Sequence, residues 1–334
     1  MHVLVSGANG YIGRALSDRL AGLRELPGHG PIDRITLCDL TLDRPPEDER
    51  IRLIAGDFSD ASTRAAALEP AVDVVFHLAG IASGRAEQEF DLGLNVNLES
   101  SLRLLEALRR QGNAPALVFS SSIAVFGESL PDLIDDDTAL KPVLSYGAHK
   151  QVIEILLADY TRRGYVRGRA LRLPGIVPRP SVSNGAWSLF TSTLIRSQIQ
   201  EQACTLPVGP DASVWLMSLQ CCVDNLLHAA ALAAQPAGPR TTWTLPALRT
   251  SIGDIVAAFD AQTDGRATQR VSYRPDPYIE AQFGRMPPLH LPDACQAGFR
   301  ADPDLNTLLN RARSSMRDED GAKQTSTPNT QQHT

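Results

Sequence analysis

The chain has 334 residues, of which 43% are apolar and 21% are charged, so it is long enough to bury a sizeable globular core. Its formal net charge of -6 excludes the basic stripe that binding to a phosphate backbone requires, so we expect no nucleic-acid partner. Its five cysteines lack metal-ligand spacing, and no apolar stretch approaches the ~20 residues of a membrane span. We therefore predict a protein of the reducing cytoplasm with no metal site, no disulfide framework and no membrane partner.

Short apolar segments of strand length alternate with segments of helical periodicity along the first half of the chain. Alternation of this kind is typical of an α/β fold with a doubly wound parallel sheet. The predicted strands are residues 3–5, 35–37, 52–54, 72–78, 117–120 and 169–173, and the predicted helices are 11–23, 62–68, 90–110 and 146–163.

The pattern changes after Pro174 to a segment rich in proline, serine and glycine, which predicts a smaller, loop-rich second lobe. Helical periodicity returns at 187–200 and 221–234, and residues 241–245 read as one more strand. From residue 313 onward Met316 is the only large apolar residue, so we expect a disordered tail. The predicted units are 1–173 with a return segment 219–246, a substrate lobe of 174–218 and 247–312, and a tail of 313–334.

The first predicted strand leads into a glycine-rich turn, GANGYIG at residues 7–13, which opens the first predicted helix. Gly7 suits a tight turn, Gly10 allows the backbone to approach a pyrophosphate, and Gly13 lets the helix pack on the sheet. The start of the helix offers free N–H groups and a positive dipole end to phosphates. In this position the pattern indicates a dinucleotide site rather than a structural turn. The expected contacts are Gly7, Asn9, Gly10, Tyr11, Ile12 and Gly13.

The second predicted strand ends at Asp39, where a carboxylate can bind the adenosine ribose hydroxyls and repel a 2′-phosphate. The cofactor is therefore expected to be NAD rather than NADP. The segments after the third and fourth strands are expected to pass beside this cofactor, although an aspartate such as Asp57 is also common in turns. Their predicted contacts are Asp57, Phe58, Leu78, Ala79 and Gly80.

Tyr146 and Lys150 are spaced i, i+4 at the start of a predicted helix, so the phenol and the ammonium share one face. A nearby cation stabilises the phenolate, so we expect Lys150 to lower the pKa of Tyr146 and enable it to accept a proton from a substrate hydroxyl. Lys150 has a second expected task, which is to hold the nicotinamide ribose. The alternative to a catalytic pair is that Tyr146 and Lys150 are ordinary residues on the surface of an amphipathic helix.

Three serines end the fifth predicted strand, at the edge where a doubly wound fold places its ligands. A hydroxyl there can share the charge that develops on the reacting oxygen. Ser122 is the favoured candidate for this role, with Ser121 as a substrate contact or alternative. Asn97, on the helix predicted to pass beneath the site, is a candidate for a proton relay to Lys150 and for the cofactor site, or else an ordinary polar helix residue.

The order of these motifs resembles that of the extended short-chain dehydrogenase/reductases, the superfamily that includes nucleotide-sugar epimerases and dehydratases. The resemblance extends to about residue 312 and is carried by GANGYIG, CDL, GDF, HLAG, NVN, SSSIAVFG and YGAHK. It implies a Rossmann domain of about seven parallel strands, a small C-terminal substrate-binding domain, a homodimer, and a catalytic triad of Ser122, Tyr146 and Lys150.

Further likeness, at residues 90–93, 135–140, 168–174 and 215–218, is to the D-erythronate dehydrogenases, which oxidise C2 of a four-carbon sugar acid with NAD. Where nucleotide-sugar epimerases usually carry an asparagine, this chain has Leu173-Pro174-Gly175. A sugar acid needs a carboxylate receptor and hydroxyl partners. The candidate substrate residues are Arg179 for the carboxylate, Ser83, Asn184 and Ser188 for hydroxyls, and Ser121, Ser122 and Tyr146 at the reacting carbon.

Three functions remain open on the sequence. The first is a dehydrogenase that releases NADH, with D-erythronate as the substrate and 2-dehydro-D-erythronate as the product. The second is an NAD-dependent nucleotide-sugar epimerase or dehydratase, which keeps its NAD bound. The third is a non-catalytic dinucleotide sensor, against which the complete set of Ser122, Tyr146 and Lys150 argues.

Overall fold

The structure is a computed structural model that describes residues 1–180, 187–233 and 240–324. The strands are β1 (His2–Ser6), β2 (Glu25–Leu26), β3 (Gly30–Pro31), β4 (Arg34–Asp39), β5 (Ile51–Ala55), β6 (Val74–His77), β7 (Ala116–Ser122), β8 (Ile134–Asp135), β9 (Arg167–Leu173), β10 (Gly175–Val177), β11 (Cys204–Leu206), β12 (Ser213–Ser218), β13 (Thr242–Thr244), β14 (Leu248–Ser251), β15 (Val271–Tyr273) and β16 (Leu289–His290).

The α-helices are α1 (Tyr11–Ala21), α2 (Ala61–Ala67), α3 (Ser83–Gln88), α4 (Phe90–Gly93), α5 (Ser100–Gln111), α6 (Ser145–Arg162), α7 (Phe190–Ile199), α8 (Leu219–Ala233), α9 (Ile252–Thr263), α10 (Arg266–Gln269), α11 (Pro277–Phe283), α12 (Pro292–Gln296) and α13 (Leu305–Gln324). A π-helical segment, Leu94–Glu99, joins α4 to α5. Among the helices of these ranges, none is both long and apolar enough to cross a bilayer.

A parallel sheet in the order β13-β9-β7-β6-β1-β4-β5 forms the centre of the molecule. Alternate side chains of each strand enter separate cores on the two faces of the sheet. On β1, Val3 and Val5 pack against α1 and α8, whereas Leu4 packs on the face covered by α5 and α6. Burial on both faces explains why the strands are continuously apolar, and the predicted doubly wound α/β fold is confirmed.

A second core lies among the residues that follow β9. The short strands β10, β12 and β14 form a small sheet, and α7, α9 and α13 contribute apolar side chains to the core beside it. The chain does not stay in this lobe, because β13 pairs with β9 and becomes an edge strand of the central sheet. Both α8 and β13 lie within the segment 219–246 that the sequence predicts to return to the first domain.

The C-terminal segment differs from the disordered tail predicted for residues 313–334. Helix α13 continues to Gln324, so the expected disorder from residue 313 onward does not hold as far as this residue; residues 325–334 lie outside the described ranges. Met316 is 3% exposed, and the Arg313 guanidinium lies 5.4 Å from the centroid of the Phe259 ring. The composition led to a wrong prediction of disorder. One large apolar residue, Met316, lies on the buried face of the helix, and this is enough to extend the packed surface.

Candidate active site

The predicted glycine loop lies between the end of β1 and the start of α1. Gly7 has a φ of +76°, a left-handed conformation that favours glycine. A Cβ on Gly13 would lie 2.0 Å from the carbonyl oxygen of Gly7, so α1 approaches the loop too closely for any side chain there. The neighbouring Asn9, Gly10, Tyr11 and Ile12 complete the turn into α1. This cradle, which has no side chain at Gly7, Gly10 or Gly13, fits a dinucleotide pyrophosphate.

Asp39 is the last residue of β4, beside the glycine loop. Its carboxylate accepts hydrogen bonds from the backbone N–H of Asn9 at 2.8 Å and of Leu40 at 2.7 Å. Asp57 instead caps its own turn, since it accepts from the N–H of Ser59 at 2.8 Å. Phe58 is buried against the His77 ring. Asp39 therefore lies against the predicted dinucleotide loop, whereas Asp57 makes the contact of a turn residue.

The segment after β6 passes directly beside the glycine loop. A Cβ on Gly7 would lie 2.6 Å from the backbone nitrogen of Ala79, which follows Leu78. A Cβ on Gly80 would lie 3.0 Å from the Asn97 Oδ1 atom and 3.8 Å from the Lys150 Nζ atom. Leu78, Ala79 and Gly80 thus line the route between the loop and Lys150, as expected from the sequence, and Gly80 leaves this space open.

Asn97 lies in the π-helical segment and is 1% exposed. Its Oδ1 atom accepts from the Ile81 N–H at 2.9 Å, and its Nδ2 atom donates to the Ile81 carbonyl at 3.3 Å. Both ends of the amide are therefore committed to one backbone residue. The side chain fixes the backbone of Ile81 beside Gly80, and its part in a proton relay to Lys150 stays a prediction. The predicted helix 90–110 contains a π-helical segment of the kind common at functional sites.

Tyr146 and Lys150 lie in the first turns of α6 and face the end of β7. The Lys150 Nζ atom donates to the Ser120 carbonyl at 2.7 Å and lies 5.5 Å from the centroid of the Tyr146 ring. Burial lowers the pKa of Lys150 to about 8. The predicted pairing on one helical face is thus present in the structure, with the ammonium anchored on β7.

The pKa of Tyr146 departs from the sequence-based expectation. It is raised from its ordinary value because burial disfavours the phenolate, while the Arg179 charge and a hydrogen bond with Ser122 act in the opposite direction. The expected lowering of the Tyr146 pKa is therefore wrong in sign, since desolvation outweighs the Arg179 charge and the Ser122 hydrogen bond. Both the Arg179 charge and the Ser122 hydrogen bond nevertheless stabilise the phenolate form of Tyr146.

The structure distinguishes the serines at the end of β7. Ser122 lines the main cavity, and its Oγ atom accepts from the Ala124 N–H at 3.1 Å. Ser121 is 2% exposed and donates its hydroxyl to Glu154 on the far side of the strand. Successive side chains of a strand point to opposite faces, so Ser121 points away from the cavity that Ser122 lines, while the Ser120 hydroxyl donates to the His77 carbonyl at 3.1 Å. The predicted substrate contact by Ser121 is not what the structure shows.

A single cavity brings most of the predicted substrate residues together beside Tyr146. Its walls include Ser83, Ser122, Tyr146, Arg179 and Ser188. The Arg179 Nε atom donates to the Ile176 carbonyl at 3.3 Å, and its charge acts on Tyr146. Within the described part of the chain, no carboxylate forms an ion pair with Arg179. The guanidinium is therefore suited to a substrate anion. The remaining candidate, Asn184, lies outside the described residues.

The cavity also contains residues that the sequence did not identify. Thr191, Trp215 and Gln282 line it from the second lobe. The indole N–H of Trp215 donates to the Pro287 carbonyl at 2.7 Å, and the Gln282 amide donates to Glu128. Trp215 belongs to residues 215–218, which carry the resemblance to D-erythronate dehydrogenases, and nothing else in the sequence indicated that it lies near the substrate. Gln282 lies on α11, for which no periodicity was recognised.

Comparisons with known proteins agree with this geometry. The chain is 37% identical to a D-erythronate dehydrogenase from Cupriavidus necator over 92% of its own length and 97% of that protein. It is 30% identical to a D-erythronate dehydrogenase from Haemophilus influenzae, with 92% and 98% of the two chains covered. The enzyme class expected from the sequence, an NAD-dependent dehydrogenase, is thereby confirmed.

A solved structure gives the same architecture. The nucleoside-diphosphate-sugar epimerase from Agrobacterium tumefaciens superimposes with a TM-score of 0.86 and 33% identity, with 96% of this chain and 95% of that chain covered. A family model described as the NAD dependent epimerase/dehydratase family matches residues 3–208. The resemblance inferred from the motifs is confirmed: the chain belongs to the NAD dependent epimerase/dehydratase family.

Proposed function

We propose that this protein oxidises the C2 hydroxyl of D-erythronate to 2-dehydro-D-erythronate and releases NADH. The observation that carries the proposal is the position of Arg179 in the same cavity as Ser122 and Tyr146, where its charge acts on the phenol. A cation beside the acid–base group suits a substrate whose carboxylate is adjacent to the reacting carbon. The D-erythronate dehydrogenases to which the chain is similar support the same substrate.

The residues of the cavity have distinct tasks in this reaction. Arg179 binds the carboxylate and places C2 beside Tyr146, whose phenolate form accepts the proton of the C2 hydroxyl and becomes the phenol. Ser122 donates a hydrogen bond to the same oxygen as its charge develops. The Lys150 ammonium lies 5.5 Å from the centroid of the Tyr146 ring, and its second task in the proposed reaction is to hold the nicotinamide ribose. Bound NAD supplies the carbon that accepts the hydride from C2.

The direct test is the absorbance of NADH when the purified protein is mixed with NAD and D-erythronate. A panel of the other four-carbon sugar acids serves as the comparison. Net NADH formation that is fastest with D-erythronate supports the proposal. The substrate assignment fails if another acid of the panel reacts faster, and the dehydrogenase proposal fails if none of them yields NADH.

A nucleotide-sugar epimerase is the second candidate, because the family includes epimerases and the Agrobacterium tumefaciens relative is named as one. An epimerase returns the hydride to the substrate and releases no NADH. Conversion of a UDP-sugar to its epimer without a change in absorbance would favour this candidate. Binding of NAD with neither reaction would favour a dinucleotide sensor.

We further propose that Asp39 selects NAD over NADP. Replacement by asparagine removes the charge and keeps one side-chain acceptor, for either the Asn9 or the Leu40 N–H group, because these groups donate to different oxygens of Asp39. Because a negative charge beside a 2′-phosphate costs several kcal/mol, Asp39→Asn should lower the preference for NAD by about 10-fold or more. Asp43→Asn, farther along the same loop, is the control for a general loss of negative charge. An unchanged ratio of kcat/KM for the two cofactors in Asp39→Asn would refute the assignment.

A homodimer is also proposed, on the basis of an apolar face formed by α4, α5 and α6. Phe90, Leu102, Val152 and Ile155 are 55%, 37%, 41% and 63% exposed on these neighbouring helices. A second copy can cover this face through a two-fold axis. Ile155→Glu should produce a monomer in light scattering, while Leu53→Glu, on edge strand β5, should leave the dimer intact. A wild-type monomer, or a dimer that persists in Ile155→Glu, would contradict the proposal.

A further inference from the structure

A buried carboxylate lies on the face of α6 that carries the proposed catalytic pair. Glu154 is four residues after Lys150 and eight after Tyr146, so the three side chains project from one side of the helix. The Glu154 side chain is 5% exposed. A carboxylate at this depth is costly unless it has partners, and those partners indicate its task.

The hydrogen-bond partners of Glu154 come from the two strands that end at the cavity. Arg172 on β9 donates from Nε to both carboxylate oxygens, at 3.1 Å and 3.2 Å, and from a terminal nitrogen at 2.8 Å. Ser121 on β7 donates its hydroxyl to the same carboxylate. Because Ser121 immediately precedes Ser122, the carboxylate fixes the strand end that presents the reacting serine.

The titratable groups around Lys150 come from several elements. Burial lowers the pKa of Lys150, and the charge of Glu154 opposes this shift. His77 on β6 has a pKa of about 3, because burial and the Lys150 charge both disfavour the imidazolium. The pKa of His149 is likewise lowered by burial, with Glu87 on α3 acting against it. Both histidines are therefore neutral near pH 7, and the charge that supports the Lys150 ammonium is Glu154.

We propose that Glu154 is a positioning residue that keeps Lys150 protonated and, through Ser121, fixes the end of β7 that carries Ser122. The bidentate contact with Arg172 lets the buried carboxylate stay ionised. The inference rests on the proposed function in one respect, which is that Lys150 holds the nicotinamide ribose and places a positive charge beside Tyr146.

The test uses Glu154→Gln, which keeps the shape and an acceptor for Ser121 but removes the charge. NADH binding, followed by NADH fluorescence across neutral and alkaline pH, reports on the Lys150 ammonium because this group is expected to hold the ribose. The Kd of the wild type should rise as Lys150 loses its proton. In Glu154→Gln this rise should begin about 1 pH unit lower, and the alkaline limb of kcat/KM should move with it.

Matched variants separate charge from stability. Asp48→Asn breaks another ion pair, with Arg50, in which both side chains are 13% exposed, and should lower thermal stability without moving either pH curve. Ser121→Ala removes a hydrogen bond to Glu154 but keeps its charge, so the curves should also stay in place. Glu154→Asp restores the negative charge, so the alkaline limb of kcat/KM should return toward its wild-type position. If Arg172 without its partner prevents folding, the Glu154→Gln/Arg172→Met variant removes both charges and should show the same shift.

An unchanged pH dependence of NADH binding in Glu154→Gln, or in the double variant, overturns the inference. So does a shift in Ser121→Ala as large as that in Glu154→Gln, because the effect would then not follow the charge. NADH binding needs no sugar acid, so either result is distinguishable from a failure of D-erythronate to react.

Discussion

Tyr146→Phe should lower kcat for NADH formation by about 10³-fold, while the protein remains folded and binds NADH with nearly unchanged affinity. The variant removes only the hydroxyl that accepts the substrate proton, and the ring still packs beside Lys150. The pKa of Tyr146 is raised by burial, so the wild-type kcat/KM should increase as the pH rises above neutrality and more phenolate forms, until loss of the Lys150 proton, with a pKa of about 8, lowers it again. This increase should be absent in Tyr146→Phe.

The control for this experiment lies on the same helix. Tyr160 is on α6, outside the cavity, and donates its hydroxyl to Glu106. Tyr160→Phe should therefore leave kcat and its pH dependence unchanged. Wild-type turnover in Tyr146→Phe would contradict the acid–base assignment, whatever the substrate proves to be.

Arg179→Met should lower kcat/KM for D-erythronate by about 30-fold or more, mainly through a higher KM. Loss of one partner from a buried charge pair costs about 2 kcal/mol or more, which corresponds to that factor. The charge of Arg179 also opposes the upward shift in the pKa of Tyr146. The pH at which activity rises should therefore move upward in the variant, because the phenolate loses a stabilising cation.

Two comparisons identify the cause of the Arg179 effect. Arg179→Lys keeps the charge without the bidentate geometry and should recover part of the activity. Erythritol, which has four hydroxylated carbons but no carboxylate, should react slowly with both proteins, and Arg179→Met should change its KM far less than the KM for D-erythronate. A KM for D-erythronate that does not change in Arg179→Met would exclude this residue as the carboxylate receptor.

The parts of the fold that the sequence predicted well are those with a local cause. Buried parallel strands such as β1 must be apolar on both faces, and the turn at Gly7 needs a left-handed backbone, so both are visible in the order of residues. The spacing of Tyr146 and Lys150 on α6 is likewise set by the helical repeat alone.

The parts that were missed depend on contacts between distant segments. The position of Ser121, which was expected to be a substrate contact, depends on which face of β7 meets Glu154, more than thirty residues away. The upward shift in the pKa of Tyr146 depends on burial in the folded chain, which no spacing of charges reveals. Gln282 enters the cavity wall from α11 for the same reason. The local geometry of the glycine loop and of the Tyr146–Lys150 pair was therefore predictable, their catalytic and cofactor-binding roles stay predictions, and the cavity wall was identified only in part.

The edge position of β13 has a consequence for how the protein is made. Its partner β9 is synthesised about seventy residues earlier, so β9 is an open sheet edge in the nascent chain until Thr244 has left the ribosome. Fragments that end after β12 should leave the same edge exposed and associate with one another. Completion of the nucleotide-binding half therefore has to wait until about three quarters of the chain has been made, and attempts to express that half alone should include residues 219–246.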